Sequence, residues 1–168
     1  MVPAALSDDP NLAALLRYWE QKRGARAMPR RRDIDPLDMP PALLPHLELI
    51  ELAQGRLRYR LIGTAIVDAM GRDATGRFLD QVLAGGHGRF VERVHRTVMS
   101  KLRPVFSLCW LRRDFGGDLP LLRVVAPLSE DGCAVGMTLA ATSFGGGRRG
   151  LVPPLAAEEI DDGTIEVL

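Results

Sequence analysis

The 168-residue chain is predicted to adopt an α+β fold, in which helices lie between two groups of antiparallel strands. Apolar and charged residues alternate from Arg56 to Ile62, which is typical of a half-buried antiparallel strand. Valines recur on one face of a helical segment from about Gly88 to Leu102. Three strand-like segments separated by turn residues follow this helix. This arrangement indicates an antiparallel sheet and not a parallel βαβ array.

Residues 1–46 are predicted to form an N-terminal helix and a connector rich in proline and arginine. The helix runs from about Asn11 to Arg23, and its apolar stripe consists of Leu12, Leu15, Leu16 and Trp19. Ser7 or Asp8 is expected to cap its start. Five prolines between residues 25 and 46 exclude a long helix or a central strand, so we expect an ordered, extended connector.

Residues 47–143 are predicted to form the core of the fold. A hairpin comes first, with strands at 47–52 and 56–62 around a tight turn at Gln54 and Gly55. Two or three short helices follow between Gly63 and Ala84, and Gly85 and Gly86 separate them from the longer helix. The last three strands are expected at about Val105–Arg112, Leu119–Leu128 and Cys133–Ser143, with turns at 115–118 and 129–132. Residues 144–168 are expected to be a flexible tail.

Composition and charge restrict the classes of partner. The formal net charge of +1 gives no overall electrostatic reason to expect binding to nucleic acid or to an anionic membrane. No apolar run approaches the length of a membrane span, and the N-terminus lacks the pattern of a signal peptide. Two cysteines do not make a disulfide framework. We therefore expect a cytoplasmic protein with neither nucleic acid nor a membrane as partner.

Short motifs recur along the chain in a characteristic order and spacing. They are Tyr18-Trp19, Arg23-Gly24, Met28-Pro29, Asp33-Ile34-Asp35-Pro36, Leu43-Leu44-Pro45-His46, Tyr59-Arg60-Leu61-Ile62-Gly63-Thr64, Gly71-Arg72-Asp73, Thr75-Gly76-Arg77, Pro127-Leu128 and Asp131-Gly132. Together they cover about residues 12–140. In these motifs and in its order of elements, the chain resembles the PAS domains, and in particular the short stand-alone PAS-like proteins of alphaproteobacteria.

The resemblance implies a five-stranded antiparallel sheet, with helices inserted between strands 2 and 3, and an additional N-terminal helix. It also implies a sensory or regulatory module that works by dimerisation and by binding a small molecule or a signalling protein. The same scaffold hosts haem, flavin, metabolites or no ligand, so the cofactor is left open.

The sequence carries no catalytic motif of a hydrolase, a phosphate-binding loop, a metalloprotease or a dinucleotide-binding fold. We therefore predict no catalytic residues and no enzyme activity. A flavin photoreceptor would need a cysteine in a helical motif, whereas Cys109 and Cys133 fall in predicted strands, and their spacing does not support a metal site.

A pocket is expected between the inner face of the sheet and the internal helices. The residues predicted for its walls are Phe78, Phe90, Val94, His95, Val98 and Trp110. Helical spacing turns His95 towards the interior, where a packed histidine with a hydrogen bond is the simplest interpretation and contact with a ligand the alternative. His87 is expected to cap the helix or to be exposed, and His46 to make a structural hydrogen bond.

Arginine clusters have ordinary interpretations as well. Arg30, Arg31 and Arg32 precede Asp33 and Asp35, which favours a salt-bridged surface over an anion site. The strand arginines at positions 56, 58 and 60 are expected to be solvated, or to meet acids of the N-terminal helix or of a second subunit.

The stripe formed by Leu12, Leu15, Leu16 and Trp19 needs a cover. We expect it to form the interface of a homodimer, although packing within the chain explains it too. Two hypotheses compete with the sensory module. One is a ligand-free structural adaptor that acts through the N-terminal helix and connector, and the other is a small enzyme with His95 as general base.

Overall fold

A computed structural model describes residues 4–111, 119–144 and 163–168. The helices are α1 (Ala4–Asp8), α2 (Pro10–Arg23), α3 (Thr64–Met70), α4 (Leu79–Val82) and α5 (Gly85–Lys101). The strands are β1 (Leu47–Ala53), β2 (Arg56–Ile62), β3 (Val105–Leu111), β4 (Leu119–Ser129), β5 (Val135–Phe144) and β6 (Thr164–Val167). The predicted α+β fold is confirmed.

The described strands form one sheet in the order β2-β1-β5-β4-β3-β6, and every neighbouring pair is antiparallel. Strand β5 lies beside β1, so it joins the N-terminal hairpin to the last strands of the chain. Helices α3, α4 and α5 occur between β2 and β3, as the resemblance implies. The sheet has six strands where five are expected.

The sixth strand comes from the segment for which the sequence predicts a flexible tail. Strand β6 pairs with β3, for example Ile165 with Ser107, and the carbonyl of Pro104 accepts a hydrogen bond from the Leu168 N–H. Phe144 belongs to β5. The prediction is wrong for these residues because an unpaired edge of β3 offers backbone hydrogen bonds to a short strand, which sequence pattern does not show. Residues 145–162 lie outside the described part of the chain, as does the predicted turn at 115–118.

Helix α2 covers the outer face of the sheet. The side chain of Asp9 caps it by accepting hydrogen bonds from the backbone N–H groups of Asn11 and Leu12, both at 3.0 Å, so the predicted caps Ser7 and Asp8 are wrong. Ser7 and Asp8 lie instead in α1. The Trp19 indole N–H donates to the Pro127 carbonyl at 2.8 Å in a buried position. This bond fixes α2 to the central strands.

The connector is ordered and packs on the same outer face. It contains three 3₁₀ turns, at 31–33, 36–38 and 44–46. Met28, Met39 and Leu43 are buried in the cluster formed by α2 and the sheet. The Tyr18 hydroxyl accepts from the Asp35 N–H at 2.9 Å and donates to the Asp35 carbonyl at 3.1 Å. The connector is therefore part of the folded domain, as its prolines and leucines predict.

The hairpin turn is confirmed at Gln54 and Gly55, which both have positive φ, at 55° and 76°. Two consecutive residues of this kind form the type I′ turn that suits the twist of a two-residue hairpin. Two boundaries differ from expectation. Gly85 and Gly86 belong to α5 and do not separate it from the shorter helices, and Cys133 is exposed in the turn before β5. In the described part of the chain, no helix is long and apolar enough to cross a membrane.

Candidate functional site

A cavity of about 70 Å³ lies between the inner face of the sheet and the short helices, in the region where a pocket is expected. Its sheet side is formed by Glu48, Tyr59, Leu121, Arg123, Thr142 and Phe144. Its other walls come from α3, α4, α5 and the loops beside them, through Ile66, Met70, Arg72, Val82, Leu83 and His87. The lining is therefore apolar around a polar floor.

Three polar side chains from three neighbouring strands form the floor. The Arg123 Nε donates to the Thr142 hydroxyl at 2.9 Å, and that hydroxyl donates to Oε1 of Glu48 at 2.5 Å. An Arg123 terminal nitrogen lies 3.5 Å from the same carboxylate oxygen, and both charged side chains are more than nine-tenths buried. Burying two charges costs several kcal/mol for each ion before their attraction is counted, so this pair does not simply stabilise the fold.

His87 lies at the opposite wall, in the first turn of α5. It is buried, and its Nδ1 has no hydrogen-bond partner among the described residues. Burial and the nearby positive charge of Arg123 lower the pKa of His87 to about 3, so the imidazole is neutral near pH 7. The prediction of a capping or exposed His87 is wrong because α5 begins two residues before it and the side chain is buried in the wall of the cavity.

Two glycines place this first turn. Gly85 has a φ of 63°, which allows the chain to enter α5 sharply after Leu83. A Cβ atom on Gly88 would lie 2.5 Å from the Leu83 carbonyl oxygen, so only glycine permits this close approach. The Gly-Gly-His-Gly sequence therefore holds the His87 imidazole against the cavity.

Tyr59 contributes a phenol from β2. Burial, and then the Glu48 carboxylate, raise the pKa of this phenol, so it stays protonated and can donate a hydrogen bond. The backbone of Tyr59 pairs with residues 76 and 77, which cover the outer edge of β2 beside the cavity.

The six side chains predicted as pocket walls have other positions. Phe90, Val94 and Val98 are buried in an apolar cluster between α5 and strands β3 and β4. Phe78 lies on β2, where the Arg56 guanidinium stacks 3.9 Å from its ring centre. Trp110 is 47% exposed, because residues 106, 108 and 110 face the opposite side of the sheet from Cys109. None of the six lines the cavity as the structure describes it.

His95 is fully buried and has the packed role that the simplest interpretation gives it. Its Nδ1 lies 2.8 Å from the Thr138 hydroxyl, and its Nε2 has no partner among the described residues. Burial, and then Arg123, lower the pKa of His95 to about 3. As a general base His95 would need contact with a substrate, and the structure leaves it no exposed surface.

The predicted interface stripe packs inside its own chain. Leu12, Leu15 and Trp19 are buried in the cluster between α2 and the sheet, and Leu16 is half-buried against it. Packing within the chain, the alternative explanation, therefore accounts for the stripe. Dimerisation through this helix stays a prediction.

The strand arginines pair within the chain, although not with the N-terminal helix. Arg56 binds Asp80 at 2.5 Å, and Arg58 and Arg60 both contact Glu51 of the neighbouring strand. In the connector, Asp33 binds Arg26 at 2.7 Å and accepts from the Arg30 backbone N–H. Such exposed pairs contribute little to stability. His46 makes the expected structural hydrogen bond, with its Nδ1 3.0 Å from the Thr142 carbonyl.

The sequence does contain a signal for the floor of the cavity. Glu48 stands in the run Leu-Glu-Leu-Ile, and Arg123 stands in the longest apolar strand, Leu119–Ser129. A charged residue within a buried strand needs a partner or a function. In the described residues, no group of three or more His, Cys, Asp and Glu side chains is placed to hold a metal ion.

A family model described as PAS domain matches residues 7–139. Among solved structures, the Rhodobacter sphaeroides LOV protein is similar at 16% identity and a TM-score of 0.47, over 62% of this chain and 60%, less than two-thirds, of that chain. The light-state structure of the blue-light photoreceptor Aureochrome1 LOV gives 18% identity and a TM-score of 0.45, over 63% of this chain and 85% of that one. A light-oxygen-voltage domain studied with a flavin analogue gives 12% identity and a TM-score of 0.45, over 60% of this chain and 77% of that one. No curated protein matches.

Proposed function

Because this chain belongs to the PAS domain family, we propose that it is a non-enzymatic sensory or regulatory module whose internal cavity binds a small molecule in signal transduction. The observation that carries the proposal is the cavity with its buried floor of Glu48, Arg123 and Thr142. Apolar walls around a few convergent polar groups are typical of small-molecule sites. A cytoplasmic location, a homodimer and a signalling protein partner are parts of the same proposal.

The structure offers a route from the cavity to the N-terminal elements. The Thr142 hydroxyl belongs to the polar floor, whereas its backbone carbonyl lies 3.0 Å from the His46 imidazole at the end of the connector. A ligand that reorganises the floor would move Thr142 and thereby shift the connector and α2. This requires a ligand that binds the two arrangements with different affinity.

Native mass spectrometry of the protein purified from its own host tests the proposal, because it reports subunit number and retained ligand together. We expect a dimer with a defined additional mass. Val82→Phe would fill the cavity from the wall and should lose that mass. Val67→Phe, at a half-buried valine on α3 outside the cavity, is the matched control and should keep it.

Bare protein in repeated preparations, with no thermal shift on addition of metabolites, would overturn the small-molecule role. A monomer would overturn the dimer. The competing adaptor is favoured by one observation, the 92% exposure of the Leu37 side chain on the connector. An adaptor would bind its partner in the ligand-free state and would lose that binding in Leu37→Asp, whereas Val82→Phe would leave it unchanged.

A further inference from the structure

The charged side chains that line the cavity are unequal in number. Among the described residues, two guanidinium groups, of Arg72 and Arg123, face one carboxylate, of Glu48. Glu48 and Arg123 are paired with each other. Arg72 is exposed at the rim, where it donates to the Val82 carbonyl at 2.5 Å, so it supplies the unbalanced positive charge. The lining therefore favours an anion over a cation.

Hydrogen-bond donors also line the cavity. Oε1 of Glu48 already accepts from Thr142 and contacts Arg123. The Tyr59 phenol and the unpartnered, nine-tenths buried Nδ1 of His87 can each donate into the cavity. The first turn of α5 adds to this polarity, because no described side chain caps it and its backbone N–H groups carry partial positive charge. A ligand rich in acceptors satisfies such a site.

The size of the cavity limits the ligand. A water molecule, which has one non-hydrogen atom, needs about 10–15 Å³ of cavity volume. A cavity of about 70 Å³ therefore accommodates roughly five to seven non-hydrogen atoms. Part of the wall is apolar, through Ile66, Met70 and Leu121. These apolar side chains suit a ligand with a short hydrocarbon chain.

We propose that the cavity selects a small monocarboxylate with a short apolar chain. The carboxylate accepts hydrogen bonds from His87 and Tyr59 and its charge is balanced by Arg72, while the chain contacts the apolar wall. This inference rests on the proposed function and specifies the class of its ligand.

Binding to the full-length chain can be measured by calorimetry and thermal shift with pentanoate, and with pentanamide as the uncharged analogue of the same shape. We expect pentanoate to bind at least about tenfold more tightly, since hydrogen bonds to charged groups are the stronger ones. Arg72→Met should weaken pentanoate at least about fivefold and leave pentanamide unchanged. Arg17→Met, at an exposed arginine of α2 on the other face of the sheet, is the matched control and should change neither.

Arg72→Lys keeps the charge and should retain most of the affinity, which separates electrostatics from loss of the Val82 contact. Equal binding of acid and amide would overturn the carboxylate class while leaving a small-molecule site. Absence of any pentanoate binding would also overturn the carboxylate class. The additional mass retained in native mass spectrometry would then test the proposed function separately. Equal weakening of both probes in Arg72→Met would assign Arg72 a structural role only.

Discussion

Acidification should destabilise this protein before its carboxylates begin to titrate, because two of its histidines are buried in the neutral form. The pKa values of His87 and His95 are both lowered to about 3, first by burial and then by the charge of Arg123. In the unfolded chain a histidine has a pKa near 6.5. Between these values the unfolded state binds more protons than the folded state, so the free energy of unfolding falls as the pH falls below about 6.5.

The magnitude at pH 5 depends on the unfolded pKa alone, since the folded values lie far below that pH. Each buried histidine then lowers the free energy of unfolding by about 2 kcal/mol relative to pH 7.5. The two together lower it by about 4 kcal/mol, a large part of the stability of a typical domain. The aspartates with lowered pKa values, such as Asp73, contribute below this range and not within it.

Urea unfolding at pH 7.5, 6.5, 5.5 and 5.0 measures the effect. His95→Asn keeps a group that can bond Thr138 but does not titrate. His87→Gln replaces the imidazole at the cavity by a polar group that does not titrate. Each single variant should halve the pH dependence of the free energy of unfolding, and the double variant should abolish it. Asp73→Asn is the control and should keep the wild-type dependence. If both single histidine variants kept the full pH dependence of the wild type, the attribution of this dependence to His87 and His95 would be refuted.

Three further outcomes are expected from urea unfolding at neutral pH. Trp19→Phe removes a buried hydrogen bond and should lower the free energy of unfolding by about 1–3 kcal/mol. The same change at the half-exposed Trp110 should lower it by less than about 0.5 kcal/mol, and equal losses would contradict the docking of α2. Arg123→Met leaves the carboxylate of Glu48 uncompensated and should lower the free energy of unfolding by about 3–5 kcal/mol. Adding Glu48→Gln should recover part of this loss, whereas purely additive effects in the double variant would show that Arg123 and Glu48 are not coupled. Gln54→Asn should stabilise the protein by roughly 0.5–1 kcal/mol, because asparagine tolerates a positive φ better than glutamine, and no gain would argue against the type I′ turn.

Local periodicity predicted most of the fold, because the elements here follow simple patterns. The alternation of arginines with Leu57, Tyr59 and Leu61 located β2 at its observed bounds. The pairing of β6 with β3 was not predictable, since Thr164–Val167 is only four residues long and gains its structure from a distant strand. Local pattern carries no information on such a contact.

A cavity lies where the sequence predicts a pocket, between the sheet and the internal helices, but other side chains line it. Helical spacing shows that Val94, His95 and Val98 face inward, yet it does not show that β3 and β4 fill the space beside them. The space remains open near the first turn of α5 instead, where Gly85 and Gly88 alter the path of the chain. Which face of β3 meets the helices depends on tertiary packing and not on local pattern, so the sequence predicts Trp110 inside whereas the structure exposes it.

The position of β5 determines when the domain can assemble. Leu47 pairs with Ala141 and Glu51 pairs with Met137, so the central strands of the sheet join residues about ninety positions apart. Such non-local pairing predicts slow folding, on the order of milliseconds to seconds. During synthesis the β1–β2 hairpin leaves the ribosome long before β5, and the inner edge of β1 has no partner until then. A nascent chain that stalls before residue 135 would expose this edge to other chains, as unpaired strand edges do.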